Sequence, residues 1–258
     1  MNANGGGARI TWLGQAGYAI VAPDGTRCLV DPYLSDYLRD ELGQPRSAAI
    51  ILDPAETEAA VVVASHWHPD HLDPLTVKPL AARNPEIRFV GPSANTGRLR
   101  GWGIGSDRIQ SLDRGEDTTV GAFSFAAYYA RHDVPGWLAE DATSLVISVG
   151  GVTIYYSGDT EYDSRCLAAK AAGPFDVGFF VTNGSGGNMN AHEAALMAWQ
   201  LAPRVAVPMH YGMWPPKGYG PGATLDPQLF VDTYRRLGGG EVAVVELGET
   251  IEISRPGA

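Results

Sequence analysis

Ser65-His66-Trp67-His68-Pro69-Asp70-His71-Leu72-Asp73 is the stretch on which the reading of this chain turns. The run before it, residues 60–64, is Ala-Val-Val-Val-Ala, a β-branched segment typical of a strand buried on both faces. Directly after it, Asp73 as N-cap and Pro74 at the first helical position announce a helix. The stretch is therefore a short loop between a buried strand and a helix. It holds three of the six histidines in the whole sequence, beside a carboxylate. Imidazole and carboxylate are the nitrogen and oxygen donors that Zn²⁺ and similar borderline ions take. On such a loop His66 and His68 point the same way, toward one ion, and Asp70 and His71 continue around the turn toward a second. A chance histidine cluster in a polar loop is the bland reading, and the concentration of donors argues against it.

Outward from this loop the chain alternates strands and helices. Residues 10–13, 18–22 and 27–30 are short apolar runs broken by glycine and by the turn Pro23-Asp24-Gly25-Thr26. Residues 33–50 are more polar and read as a loop with one helical turn near the site. In the second half, 123–130 reads as a strand, 144–149 and 152–156 as a hairpin, and 164–172 as a helix. A strand follows at 175–181. Asn190 and Glu193 stand at capping-box spacing before a helix that runs to Leu201. Residues 204–208 read as a strand, Asp226-Pro227 opens a last helix ending at Gly238-Gly239-Gly240, and 242–246 with 250–253 read as a closing hairpin. Residues 18–31 and 144–159 echo each other as strand, tight turn, strand, exit aspartate. Two strand-rich halves with helices between them predict an α/β chain: two mixed sheets face to face with helices outside, an αβ/βα sandwich. No linker divides the halves, so 1–258 reads as a single domain.

Taken alone, His132 reads as a satisfied strand-end histidine sooner than as a ligand, and Asp159 as a turn or cap residue, since Ser157-Gly158-Asp159 is common turn chemistry. Their place together changes this. His66-X-His68-X-Asp70-His71 resembles the HxHxDH signature of the metallo-β-lactamase superfamily, and the later ligands occur in the expected order. The resemblance implies that His132 completes a first metal site with His66 and His68. Asp159, in Tyr156-Ser157-Gly158-Asp159-Thr160, matches the carboxylate that bridges two metals. His210, in Pro208-Met209-His210-Tyr211-Gly212, matches the last ligand of the second site with Asp70 and His71.

Within that superfamily the chain is most similar to the L-ascorbate-6-phosphate lactonase-like branch. The matching words are Trp12-Leu13-Gly14-Gln15-Ala16-Gly17, Ile51-Leu52-Asp53-Pro54, Gly91-Pro92-Ser93, Gly101-Trp102-Gly103-Ile104, Tyr156-Ser157-Gly158-Asp159 and Val207-Pro208-Met209-His210. The chain lacks much of that lactonase's terminal sequence and part of the loop after Asp31. The resemblance implies two divalent ions, Zn²⁺ or Mn²⁺ with Fe²⁺ also able to use these ligands, and hydrolysis by a hydroxide shared between them. Asp70 and Asp159 are the implied catalytic carboxylates. The implied substrate is a small lactone or cyclic ester of a sugar-acid-like molecule, phosphorylated or not. A phosphodiesterase or an amide hydrolase would use the same dinuclear site. A di-iron oxidoreductase of this superfamily typically carries Glu where this chain has His68, together with a flavin domain, and neither is present. A metal-free relative would be expected to have lost ligands, and all seven are here.

Around these ligands, Asp31 ends the first hairpin and reads as the carboxylate that orients a ligand imidazole. His192, in the first turn of a capped helix, reads equally as a surface residue or as such an outer partner. Tyr33, Trp67, Trp137, Tyr162, Tyr211 and Trp214 stand near the metal motifs as pocket lining or plain packing. Arg131 and Lys217 are the basic residues nearest the ligands in sequence and would face an anionic substrate.

The formal net charge is −10, which argues against nucleic acid as a partner. Only two cysteines are present, Cys28 and Cys166, too few for a disulfide framework or a thiolate zinc site. The start, Met1-Asn2-Ala3-Asn4-Gly5-Gly6-Gly7, carries no leader pattern, and no apolar run reaches membrane-spanning length. The expected protein is cytoplasmic, acts on a small molecule, and leaves room for a homo-oligomer.

Overall fold

A computed structural model describes residues 6–254; residues 1–5, read above as lacking a leader pattern, lie outside the described residues. Among the described residues, fourteen strands form two seven-stranded sheets. They are β1 (Ala8–Gly14), β2 (Gly17–Val21), β3 (Arg27–Val30), β4 (Val61–Val63), β5 (Arg88–Gly91), β6 (Ile109–Ser111), β7 (Asp117–Val120), β8 (Phe123–Tyr129), β9 (Thr143–Val149), β10 (Val152–Tyr156), β11 (Val177–Val181), β12 (Val205–Met209), β13 (Glu241–Val242) and β14 (Thr250–Ile253). The helices are α1 (Tyr37–Leu42), α2 (Pro74–Arg83), α3 (Ser93–Gly101), α4 (Ala191–Leu201) and α5 (Pro227–Arg236).

The echo between the halves is a repeat of topology. One sheet runs β14-β1-β2-β3-β4-β5-β6 and the other β7-β8-β9-β10-β11-β12-β13. Each begins with antiparallel pairs and ends with parallel ones, switching at β3–β4 and at β10–β11. Alternation along the strands assigns the faces. In β4, Val61 and Val63 join the core between the sheets, while Val62 turns outward to the layer under α2 and α3. Phe125, Ile147, Ile154 and Phe179 meet them from the other sheet, and the same core continues beneath α4 and α5. Both cysteines are buried and free. Among the described residues no helix is long and apolar enough to cross a membrane.

Local signals act as read from the sequence at the helix starts. Asp73 accepts from the Thr76 backbone N–H, and Asn190 with Glu193 forms a capping box. Two expectations change. Residues 164–172 wind as a 3₁₀ helix, Ser164–Ala172, with Asp163 capping its first turn. The closing hairpin does not form: β13 adds parallel to β12 in the second sheet, and β14 adds antiparallel to β1 in the first. The backbone bonds Gly248 N–H to Trp12 C=O and Trp12 N–H to Glu249 C=O guide that crossing. Alternating hydrophobicity marks a strand but not its partner, and each free sheet edge offered unpaired backbone groups.

This topology positions the site. β1, β3, β4, β8, β10 and β12 are matched in direction within their sheets, so their C-terminal ends open on one rim of the sandwich. Gln15, Asp31, residues 65–71, His132, Asp159 and His210 all follow those ends.

Candidate metal centre

The seven histidine and aspartate side chains nominated as ligands converge on that rim in two sets. His66, His68 and His132 form one and Asp70, His71 and His210 the other, each with donor atoms within 4.8 Å of one another. Asp159 lies between them. Its Oδ2 is 3.4 Å from His71 Nε2 and 3.7 Å from His132 Nε2, and its Oδ1 is 3.1 Å from His210 Nε2. Gly158 adopts φ +56°, and a Cβ there would sit 2.7 Å from the Thr143 carbonyl, so the turn that delivers Asp159 requires glycine.

Outer hydrogen bonds decide which ring nitrogens face inward. His68 Nε2–H donates to the Trp137 carbonyl at 2.7 Å, and His132 Nδ1–H to the Gly187 carbonyl at 3.1 Å. Both inner nitrogens, His68 Nδ1 and His132 Nε2, then turn lone pairs toward each other across 3.0 Å. Two lone pairs at that distance repel unless a cation lies between or beside them, and the spacing resembles the edge of a tetrahedral site with Zn–N bonds of about 2.0–2.1 Å. The buried His66 Nε2, His71 Nε2 and Asp159 Oδ1 also lack hydrogen-bond partners. Unpaired buried acceptors of this kind are costly without a cation. The donor set fits a pair of divalent ions.

Asp31 anchors the inner ring from behind. Its Oδ1 accepts from Ser65 N–H at 2.6 Å. Its Oδ2 accepts from Ser65 Oγ–H at 2.6 Å, His71 Nδ1–H at 2.7 Å and Tyr156 O–H at 2.6 Å. Asp31, His66 and His71 also bring donor atoms within 4.8 Å, but four hydrogen bonds occupy the Asp31 oxygens, so it reads as an orienting carboxylate. Gln15, Asp31 and His210 have φ of +54°, +41° and +73°, three of the four positive-φ non-glycine residues among those described. Strain gathers at this rim.

The electrostatics ask for positive charge. Burial opposes protonation of His71, yet Asp159, Asp70 and Asp31 hold its pKa well above the ordinary imidazole value. For His210, burial is again outweighed, by Asp159 and Asp70, and the pKa rises to about 9. Burial and the neighbouring His132 press His68 down to about 4, while burial and the other imidazoles lower His66. Burial would raise Asp70 and Asp159, but His71 and His210 keep both carboxyls below the usual range. Protons and metal ions compete for such a cluster.

Four sequence-nominated outer residues lie away from the centre. His192 is exposed on α4 and bonds Thr233 of α5 at 2.7 Å, because its helix packs on the far face of the second sheet. Arg131 neighbours a ligand, but its guanidinium turns to Asp133 and Glu161 at 3.0 and 3.2 Å. Lys217 is exposed on a short 3₁₀ turn and does not line the cavity. Tyr211 packs on Trp12, with ring centroids 5.2 Å apart. Trp214 and Trp137 do line the cavity. Of the other aromatics, Tyr33 is buried against Trp214, and Tyr162 bonds Gln200.

Residues without a sequence-based role also enter. Gln15 is fully buried, donates to Asp70 Oδ2 at 3.0 Å and accepts from Tyr219 O–H at 3.2 Å. Asn188 donates to Asp159 Oδ2 at 2.9 Å. Gln15 lies within the quoted Trp12–Gly17 word, which was a signal without an assigned chemistry. Asn188 had none.

Known proteins share this arrangement of the chain. A UPF0173 metal-dependent hydrolase of Thermococcus kodakarensis is 28% identical over 95% of this chain and 99% of its own length. The structure of a metallo hydrolase from Ignicoccus hospitalis matches with a TM-score of 0.75 at 22% identity, covering 97% of this chain and all of the other. A diiron β-hydroxylase of Streptomyces venezuelae matches with a TM-score of 0.72 at 18% identity, over 97% of this chain and 55% of its own. The fold therefore serves more than one chemistry. Residues 9–210 match the β-lactamase superfamily domain. The chain belongs to the metallo-β-lactamase superfamily.

Proposed function

We propose that this protein is a metal-dependent hydrolase that holds two divalent ions, Zn²⁺ or Mn²⁺, and opens a small lactone or cyclic ester. The observation that carries the reading is the pair of donor sets joined at Asp159, with inner nitrogens left unpaired. His66, His68 and His132 would hold one ion, Asp70, His71 and His210 the other, and Asp159 both. Bound there, such ions supply Lewis acidity and lower the pKa of water toward neutrality.

The chain's own groups do the rest. Asp70 is the cluster carboxylate with the greatest opening to the cavity, its side chain 15% exposed. Gln15 fixes its Oδ2, which leaves the other oxygen to pass a proton from water to the departing alkoxide. The cavity in front is about 260 Å³. Trp137, Trp214, Leu38 and Val134 give it apolar walls that exclude water, with Gln44 and Ser185 as polar contacts. Among the described residues no Lys or Arg lines this cavity, so positive charge at the reacting position would come from the bound ions and not from side chains. The choice of a lactone ring over a phosphate ester rests on the resemblance of the sequence to the lactonase-like branch.

The test is a hydrolysis screen over lactones, sugar phosphates and phosphodiesters, with each metal added in turn to metal-stripped protein. Metal-restored turnover of lactones is expected. Turnover confined to phosphodiesters would replace the reading, and full activity of the stripped protein would remove it.

A further inference from the structure

A second cavity of about 330 Å³ adjoins the first, and Pro69 and Trp137 line both. Its walls include Tyr37, Trp67, Trp102 and Leu72. Trp67 stands between ligands His66 and His68 in sequence, and its ring is 4.7 Å from that of His68. It stacks on Trp137 at 5.6 Å and 16°, and its Nε1–H is held by the Leu138 carbonyl at 3.2 Å. The aromatic wall is thus fixed to the metal-centre loops.

Arg98 of α3 lies over Trp67, with Cζ 4.0 Å from the ring centroid. Among the described residues its guanidinium makes no hydrogen bond and no ion pair, unlike Arg131, Arg83 and Arg165, which are all tied to carboxylates. A planar fork without a direct hydrogen-bond partner, lying over an indole at the wall of a largely apolar cleft, is the arrangement that takes a carboxylate or similar anion, although Asp141 acts on its charge from nearby. Glu41 also lines the cleft, and its charge opposes such an anion.

We infer that this cleft is a substrate subsite for an apolar or aromatic body ending in an anionic group, which Arg98 grips while Trp67, Trp102 and Trp137 cover the body. One indole separates the guanidinium from ligand His68, a span that a single molecule with its reacting end at the metal centre would bridge. The identity of the occupant as substrate rests on the hydrolase reading; the binding chemistry does not.

The metal-loaded protein is titrated with benzenesulfonate and its neutral counterpart methyl phenyl sulfone, followed by tryptophan fluorescence. In parallel, KM is measured for dihydrocoumarin and its 6-sulfonate. Arg98→Ala is expected to weaken benzenesulfonate about tenfold and to raise KM for the sulfonated lactone alike, with the neutral partners unchanged. The difference shrinks as salt is added. Glu41→Gln, an exposed change, moves the anionic ligands the other way. Benzenesulfonate binding unchanged in Arg98→Ala, or both probes weakened equally, overturns the subsite. If no lactone is turned over by the wild type, the lactone reading fails while the two binding titrations still decide the subsite.

Discussion

Gln15 and Asp70 stand fifty-five residues apart in the chain and one hydrogen bond apart in the fold, with Gln15 Nε2–H donating to Asp70 Oδ2 at 3.0 Å. The Gln15 carbonyl also accepts from His210 N–H at 3.0 Å, so one residue positions two members of the same donor set. Gln15→Asn tolerates the left-handed backbone but is too short to reach Asp70. Metal affinity at the Asp70, His71 and His210 set is expected to fall about 10–100-fold, measured by competition with a chelator. Unchanged affinity would take Gln15 out of the site.

Metal analysis after gentle purification is expected to give close to two equivalents per chain. In Asp159→Ala the three-histidine set survives, one equivalent is lost, and kcat falls more than about a hundredfold. A variant that keeps both ions and its kcat means the bridge lies elsewhere.

Asp31 takes four donors in a fully buried position. Asp31→Asn replaces an acceptor oxygen with an amide N–H facing other donors. Stability to urea should drop by about 2–4 kcal/mol, with weaker metal binding through the misaligned His71. A variant as stable as the wild type would show that the network contributes nothing.

Burial raises the Asp73 carboxyl to about 6, against the opposing hydrogen bonds from Thr76 and Ser35. The folded chain therefore holds this proton more tightly than the unfolded chain, where the carboxyl titrates near about 3.9. The stability it contributes is complete below about pH 4 and lost as pH rises through about 6. Asn keeps the N-cap function and cannot titrate. The wild type minus Asp73→Asn difference in unfolding free energy should fall by on the order of 2–3 kcal/mol between pH 4 and 6. A flat difference across that range contradicts the assignment.

Lys217→Ala and Arg131→Ala should leave kcat and KM unchanged for neutral and anionic substrates alike, since neither side chain lines the cavity. A selective loss with anions in either variant would return that residue to the site.

Residues 66–71 were legible as a metal-binding loop because all their donors lie within one turn of chain, where spacing alone dictates which side chains can meet. The strands at 27–30 and 152–156 and the capped start of α4 were legible for the same reason: alternation and capping are local. His132, Asp159 and His210 could be nominated by resemblance, but their approach to His68, His71 and Asp70 depends on co-directional strands from two sheets ending on one rim. Tertiary structure alone decided the outer partners. Gln15, Asn188 and Arg98 reach the centre or its neighbouring cleft across long sequence separations, whereas Arg131 and Lys217, adjacent in sequence, turn away. Proximity in sequence limits only Cα separation, while the direction of a side chain follows from the backbone and partners around it. The parting of β13 and β14 has the same origin: their pattern called for pairing, and the free edges of two different sheets determined with whom.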